Sequence, residues 1–192
     1  MQLINGWISG VKRVVSPYCD ERPDHEAPSL LVVHGISLPP GRFGGPYIDQ
    51  LFTGTLNPDD HPFFQQVYAL RVSAHCLIRR DGDVVQYVPF DKRAWHAGVS
   101  VYAGRRNCND FSIGIELEGT DNLAYTTEQY LSLAEVSRLL MRHYPVTPER
   151  IAGHCDIAPD RKTDPGPVFN WHHYRHLLSP RAAGDNRENP AL

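Results

Sequence analysis

Between Gly153 and Gly166 the chain reads G-H-C-D-I-A-P-D-R-K-T-D-P-G, which crowds His154, Lys162 and Asp164 into one short stretch. Pro159 and Pro165 each remove a backbone donor and fix φ, which argues for a rigid polar loop rather than a strand or a long helix. Charges held this close must be solvated, paired or bound to something. Histidine and carboxylate are both zinc ligands, and a catalytic zinc takes three protein groups and leaves a fourth position to water or substrate. The chain carries 10 histidines in 192 residues, a mild pointer to metal or acid–base chemistry. His34 ends an apolar run, in line with Leu30 and Val32, where a side chain is held rigidly at the rim of a core. Spacing alone does not choose among His34, His75, His96 and His154. A histidine ending a strand also serves as an ordinary hydrogen-bonded core residue, and Asp164 before Pro165 also suits the start of a turn.

For these groups to meet, separate elements must carry them to one place. Ser29 to His34 is apolar and β-branched, the pattern of a buried strand. Ser37 to Gly45 is a loop by its Pro and Gly content. Pro62 to Leu70 suits a short helix. Arg71 to Val88 reads as a hairpin around Asp81-Gly82, a strong turn signal. Phe111 to Glu118 alternates cleanly, with Phe111, Ile113, Ile115 and Leu117 on one face and Ser112, Gly114, Glu116 and Glu118 on the other. Thr126-x-x-Gln129 fits a capping box for a helix that buries Tyr130, Leu133, Ala134, Ser137, Leu140 and Met141 and ends near Tyr144-Pro145. A last helix spans about Asn170 to Leu178, and the polar tail from Ser179 onward is expected to be mobile. No repeat or strong linker divides the chain. The order of elements predicts one α/β (α+β) domain over residues 1–178, with a central mixed β-sheet flanked by helices.

Composition excludes some classes. Hydrophobic residues make up 41% and charged residues 21%, as in a soluble globular protein. A net charge of −3 gives no reason to expect a nucleic-acid or membrane partner. No apolar run is long enough to span a bilayer, and the first residues lack the pattern of a signal peptide, so a cytoplasmic protein is expected, with no obligate protein partner evident. The 4 cysteines, Cys19, Cys76, Cys108 and Cys155, form no C-x-x-C pair and read as free thiols. Neither a phosphate-cradling glycine motif nor G-x-S-x-G is present.

Several blocks carry a specific likeness: V-V-H-G-I-S-L-P-P-G, V-S-A-H-C-L-I-R-R-D-G, Q-Y-V-P-F-D-K-R-A-W-H-A-G-V-S, C-N-D-F-S-I-G-I-E-L-E-G-T-D and the His154 segment. Together, from about Gly6 to about Trp171, the chain resembles the zinc-dependent N-acetylmuramoyl-L-alanine amidases. These share a fold with phage amidases and peptidoglycan recognition proteins. The likeness is to those that act on soluble anhydro-muropeptides in cell-wall recycling. It departs from that family at Gly35, where asparagine commonly follows the first ligand, and at Asn107, where arginine is common.

The resemblance implies one zinc held by His34, His154 and Asp164. It puts a general base on Glu116, which alternation alone does not separate from Glu118, and an oxyanion-stabilising cation on Lys162; Glu118 itself reads as a solvent-facing charge. Arg161, beside Lys162, is expected to face solvent or a surface partner, and Asp156 and Asp160 to act as loop caps and surface charges. For the substrate, Arg71 shares a predicted strand face with Ser73 and His75 and suits a stem-peptide carboxylate. Trp95 suits either a sugar ring or the core, and His96 reads as a supporting residue. Two other readings compete: a muropeptide-binding module without catalysis, and a Cys–His hydrolase built on Cys155 or Cys76.

Overall fold

The strand Ser112–Glu118 is buried along its whole length on both faces. In the computed structural model, which describes residues 1–179, it lies inside a six-stranded mixed sheet. In chain order the strands are β1 (Lys12–Arg13), β2 (Leu30–Ile36), β3 (Cys76–Ile78), β4 (Val84–Gln86), β5 (Ser112–Glu118) and β6 (Ile151–Gly153), and the spatial order is β6-β2-β5-β3-β4-β1. β6, β2, β5 and β3 run parallel, β4 returns antiparallel to β3, and β1 is parallel to β4. Parallel strands covered on both faces are expected to be apolar throughout. That makes Ser112, Glu116 and Glu118, all buried here, the informative departures.

The helices are α1 (Tyr47–Thr53), α2 (Thr127–His143), α3 (His154–Ile157) and α4 (Trp171–Leu178). The capping box forms as expected: Thr126 Oγ1 accepts from the Gln129 amide at 3.1 Å, and Gln129 Oε1 accepts from the Thr126 amide at 3.1 Å. α2 lays Leu133, Val136 and Leu140 on the sheet face made by Val33, Ile113 and Ile115. α4 packs beside it, with the Tyr174 and Ser137 hydroxyls 2.6 Å apart. The opposite sheet face carries Leu30, Val32 and Ala152 in one cluster and Leu77 and Val85 in another. His34 and Glu116 belong to that face.

Four local expectations change. The hairpin pairs only Cys76–Ile78 with Val84–Gln86, closed by Gly82 at φ 88°. Ahead of it, the Ser73 and His75 amides bond to Trp95 O and Gly114 O, so residues 71–75 join no ladder. Phe111 does not share the face of Ile113: its ψ of 12° ends a 3-10 turn, and its ring joins the Leu30 and Val32 cluster instead. The segment after β6 opens with one helical turn, α3, before it becomes loop. The short helix expected from Pro62 is a 3-10 turn, Pro62–Gln66, with Phe64 buried. Apart from Ser179, the tail lies outside the described residues. Among the described residues no helix is long and apolar enough to cross a membrane.

Candidate metal centre and its cleft

The chemistry gathers at the carboxyl ends of parallel strands, the edge at which open α/β sheets place ligands. His34 sits near the end of β2, Glu116 near the end of β5, and His154 directly follows β6. Register sets the first pair side by side, because Glu116 is the β-ladder partner of His34. The loop from α3 brings Asp164 back, and the Cys155 amide bonds to Asp164 O at 2.9 Å to close it. The Gly153 amide donates to Asp156 Oδ2 at 2.7 Å, so Asp156 is the loop cap expected of it.

Three ligand-type atoms converge. His34 Nδ1 and His154 Nδ1 are 2.9 Å apart, and Asp164 Oδ2 lies 3.4 Å from the first and 3.1 Å from the second. Two imidazoles and a carboxylate make a group that could hold a metal ion, and they are donor types that zinc takes. The far ring nitrogens are engaged elsewhere: His34 Nε2 meets His96 Nδ1 at 2.9 Å, and His154 Nε2 meets Ala97 O at 3.3 Å. The residues therefore fit a metal: the partners on Nε2 suit the tautomer that turns each Nδ1, here within hydrogen-bond distance of Asp164 Oδ2, into a ligand lone pair.

Electrostatics agree with that use. Burial lowers the His34 pKa to about 4, which keeps the ring neutral. Burial acting alone would raise Asp164, but hydrogen bonds from His154 and His34 outweigh it and hold the carboxyl well below the usual range. Glu116 goes the other way: burial first, then the Asp164 charge, push its pKa well above the ordinary glutamate value, against the pull of Lys162. Among the described residues its Oε2 has no hydrogen-bond partner, although Glu116 is only 9% exposed. A buried, unpaired carboxyl oxygen is costly for the fold and available for proton transfer.

Glu116, His154, Lys162 and Asp164 border a cleft of about 200 Å³, whose other walls include Leu51, Phe52, Leu70, Val72, Trp95 and His96. Of the substrate candidates, only Trp95 lines it. That ring is half-buried, stacks near Tyr18 with centroids 6.1 Å apart, and donates Nε1–H to Asp20 Oδ1 at 3.1 Å. Arg71 is exposed and is not part of the lining, because residues 71–75 do not alternate as a strand; its neighbours Leu70 and Val72 line the cleft instead.

Comparison with known proteins decides the family. The sequence profile of N-acetylmuramoyl-L-alanine amidases matches residues 24–167. The 1,6-anhydro-N-acetylmuramyl-L-alanine amidase AmpD of Escherichia coli (strain K12) is 68% identical over 179 residues, covering 93% of this chain and 98% of that protein. A crystal structure of a selenomethionine AmpD derivative superposes with a TM-score of 0.92 at 65% identity, over 93% of this chain and 100% of the other. AmpDh3 from Pseudomonas aeruginosa, solved in complex with anhydromuramic pentapeptide, is 27% identical with a TM-score of 0.61, over 89% of this chain and 65% of that one.

The chain belongs to the N-acetylmuramoyl-L-alanine amidase family. As a member it is a hydrolase, and the bond it cuts is the amide between N-acetylmuramic acid and L-alanine.

In this amidase several expectations about neighbours shift. Glu118 is not a solvent-facing charge: it is buried, accepts from the Gly44 amide at 2.7 Å and lies 3.5 Å from Arg79. Of the two options for Arg161 the partner is what forms: its guanidinium donates to Ala97 O at 2.6 Å and Val99 O at 2.9 Å. Neither arrangement is readable from the sequence, since each joins segments distant along the chain. At Gly35 a Cβ would meet the Tyr125 hydroxyl at 2.5 Å, so any side chain there must displace that tyrosine. Asn107 takes a left-handed conformation at φ 60°, which asparagine tolerates better than most residues.

The thiol-based alternative finds no geometry. Cys76 is fully buried and its pKa is driven far up by that burial. Cys155 Sγ contacts Asp156 Oδ1 at 3.9 Å, burial raises its pKa, and no imidazole hydrogen bond to it exists among the described residues.

Proposed function

We propose that this amidase releases the peptide from soluble 1,6-anhydro-muropeptides, with one zinc ion held by His34, His154 and Asp164. The observation that carries the reading is the convergence of His34 Nδ1, His154 Nδ1 and Asp164 Oδ2 in the same cleft as the unpaired Glu116 Oε2. Zinc, when bound, supplies a Lewis acid that activates water and polarises a carbonyl. Glu116 takes a proton from the attacking water and passes it to the departing L-alanine nitrogen, a task suited to a carboxyl whose burial has raised its pKa. Lys162, on the same cleft wall, places its ammonium toward the oxyanion that develops as water attacks. The Leu51, Phe52, Leu70 and Val72 wall shields the reacting centre from bulk water, and Trp95 offers an apolar face to the sugar.

The anhydro form of the sugar is supported by the name of the Escherichia coli relative and by the anhydromuramic pentapeptide in the AmpDh3 complex. A small released fragment also fits action in the cytoplasm, since intact cell wall lies outside the membrane. The test is mass spectrometry of an anhydro-muropeptide incubated with the protein. Free peptide should appear, vanish after chelation and return with added zinc. Full activity after verified zinc removal would overturn the metal assignment, and binding without peptide release would overturn the enzymatic one.

A further inference from the structure

The ring nitrogens of His34 and His154 that face away from the Asp164 carboxylate are both occupied, and both occupants come from one short segment. His96 contributes its side chain, with Nδ1 at 2.9 Å from His34 Nε2, and Ala97 contributes its carbonyl, at 3.3 Å from His154 Nε2. The segment is anchored on both sides. Asn109 Oδ1 accepts from the His96 amide at 3.1 Å and the Ala97 amide at 2.8 Å, and Arg161 donates to Ala97 O at 2.6 Å. The His96 ring is seated as well. Its Nε2 lies 3.2 Å from the Ser112 hydroxyl, and it rests flat against Gly114, where a Cβ would overlap the ring. β5 therefore lacks a side chain at the one position where the ring needs room.

We infer that His96 is a positioning residue for the metal site: it accepts the Nε2 proton of His34 and so fixes the tautomer that presents His34 Nδ1 as a ligand. The inference rests on the zinc reading above. The hydrogen-bond chain is self-consistent, running from His34 Nε2–H to His96 Nδ1 and from His96 Nε2–H to Ser112 Oγ. A ligand imidazole whose outer N–H has a fixed acceptor binds metal more tightly, by about 10–100-fold where such acceptors have been removed. Ala97 O plays the matching part for His154, held in place by Arg161 rather than by a side chain of its own.

The test compares zinc affinity, by competition with a chromophoric chelator, in wild type, His96→Leu and His96→Asn. Asparagine can offer its Oδ1 near the place of the lost Nδ1, whereas leucine offers no acceptor. His96→Leu should bind zinc about 10–100-fold more weakly, and His96→Asn should recover most of that loss. Long-range proton–nitrogen NMR of the metal-free wild type should show His34 already protonated at Nε2. Unchanged zinc affinity in a folded His96→Leu, or His34 protonated at Nδ1, would overturn the positioning role while leaving the metal reading intact. If wild type itself fails to bind zinc, the metal reading falls instead. Should His96→Leu fail to fold, the wild-type tautomer and the His96→Asn affinity decide the question.

Discussion

Replacing Glu116 by glutamine separates what this carboxyl does for catalysis from what it costs the fold. Its Oε2 is buried without a partner, and a buried polar atom left unpaired costs about 1–3 kcal/mol, more if it is charged. Glutamine keeps the shape and removes the charge. At neutral pH and above, metal-free Glu116→Gln should therefore be more stable than wild type by about 2 kcal/mol, because the amide, though equally unpaired, has no charge to desolvate; for a chain of this size that raises Tm by roughly 4–8 °C. The gain has a pH signature. The folded pKa of Glu116 lies well above the ordinary value of 4.5, so the unfolded chain loses its proton first. Stability present below about 4.5 is lost as pH rises through the folded value, because the carboxylate must then be held unsolvated. The advantage of glutamine is thus small near pH 4 and grows toward pH 8. Activity moves the opposite way, with kcat of the zinc-loaded variant lower by about 100- to 10,000-fold once the general base is gone. The assays are thermal melts of chelator-treated protein across pH and peptide release by the loaded enzyme. A variant that melts no higher than wild type at any pH, or that keeps kcat within about threefold, would refute this account of Glu116.

Three further outcomes are expected. Lys162→Ala should lower kcat by about 100- to 1,000-fold with a smaller change in KM, because the ammonium acts on charge that develops during reaction; an effect confined to KM would assign it to substrate binding instead. Burial, reinforced by Arg22, lowers the His75 pKa to about 3, while an unfolded histidine titrates near 6.5. The unfolded chain then holds the extra proton between those values, so stability falls as pH drops through 6.5, by about 2 kcal/mol from pH 7 to pH 5 for this group. Urea unfolding at the two pH values should show that loss, and His75→Gln, which removes the titrating group beside Arg22 and His96, should show less of it. Cys155→Ser should retain near wild-type peptide release, since the hydrogen bond its thiol makes runs to Asp156 and not to an imidazole; loss of activity would revive the thiol mechanism.

Much of the fold was legible wherever a signal is local. The Thr126 and Gln129 capping box is written in four adjacent residues and forms as expected. The alternation of Ile113, Ile115 and Leu117 correctly gave β5 its apolar face, because side chains on a strand must point to opposite sides. The same pattern misled at Glu118 and Phe111. Alternation says which side a residue faces, not whether that side is covered, and both faces of β5 are. Arg71 failed for a related reason: its assumed strand does not exist, since the Ser73 and His75 amides find partners in Trp95 and Gly114 rather than in a ladder. His96 is the residue that sequence reasoning underused. Its signal was only a histidine near other histidines, and its contact with His34 spans 62 positions.

By itself the sequence determined the inventory and, through long family-specific blocks, the chemistry to expect: two histidines, an aspartate, a glutamate and a lysine on a strand rim, a strand and a stiff loop. Which of the histidines meet was decided only in the folded chain. Parallel pairing of β5 with β2 puts Glu116 beside His34, and pairing of β6 with β2 delivers His154 to the same edge. Those pairings depend on hydrogen bonds between backbones far apart in the chain, and no local propensity encodes a register. The tertiary structure also decided the electrostatics, because His96 and Ala97 occupy the outer nitrogens of the two histidines, and burial with the Asp164 charge raises the Glu116 pKa.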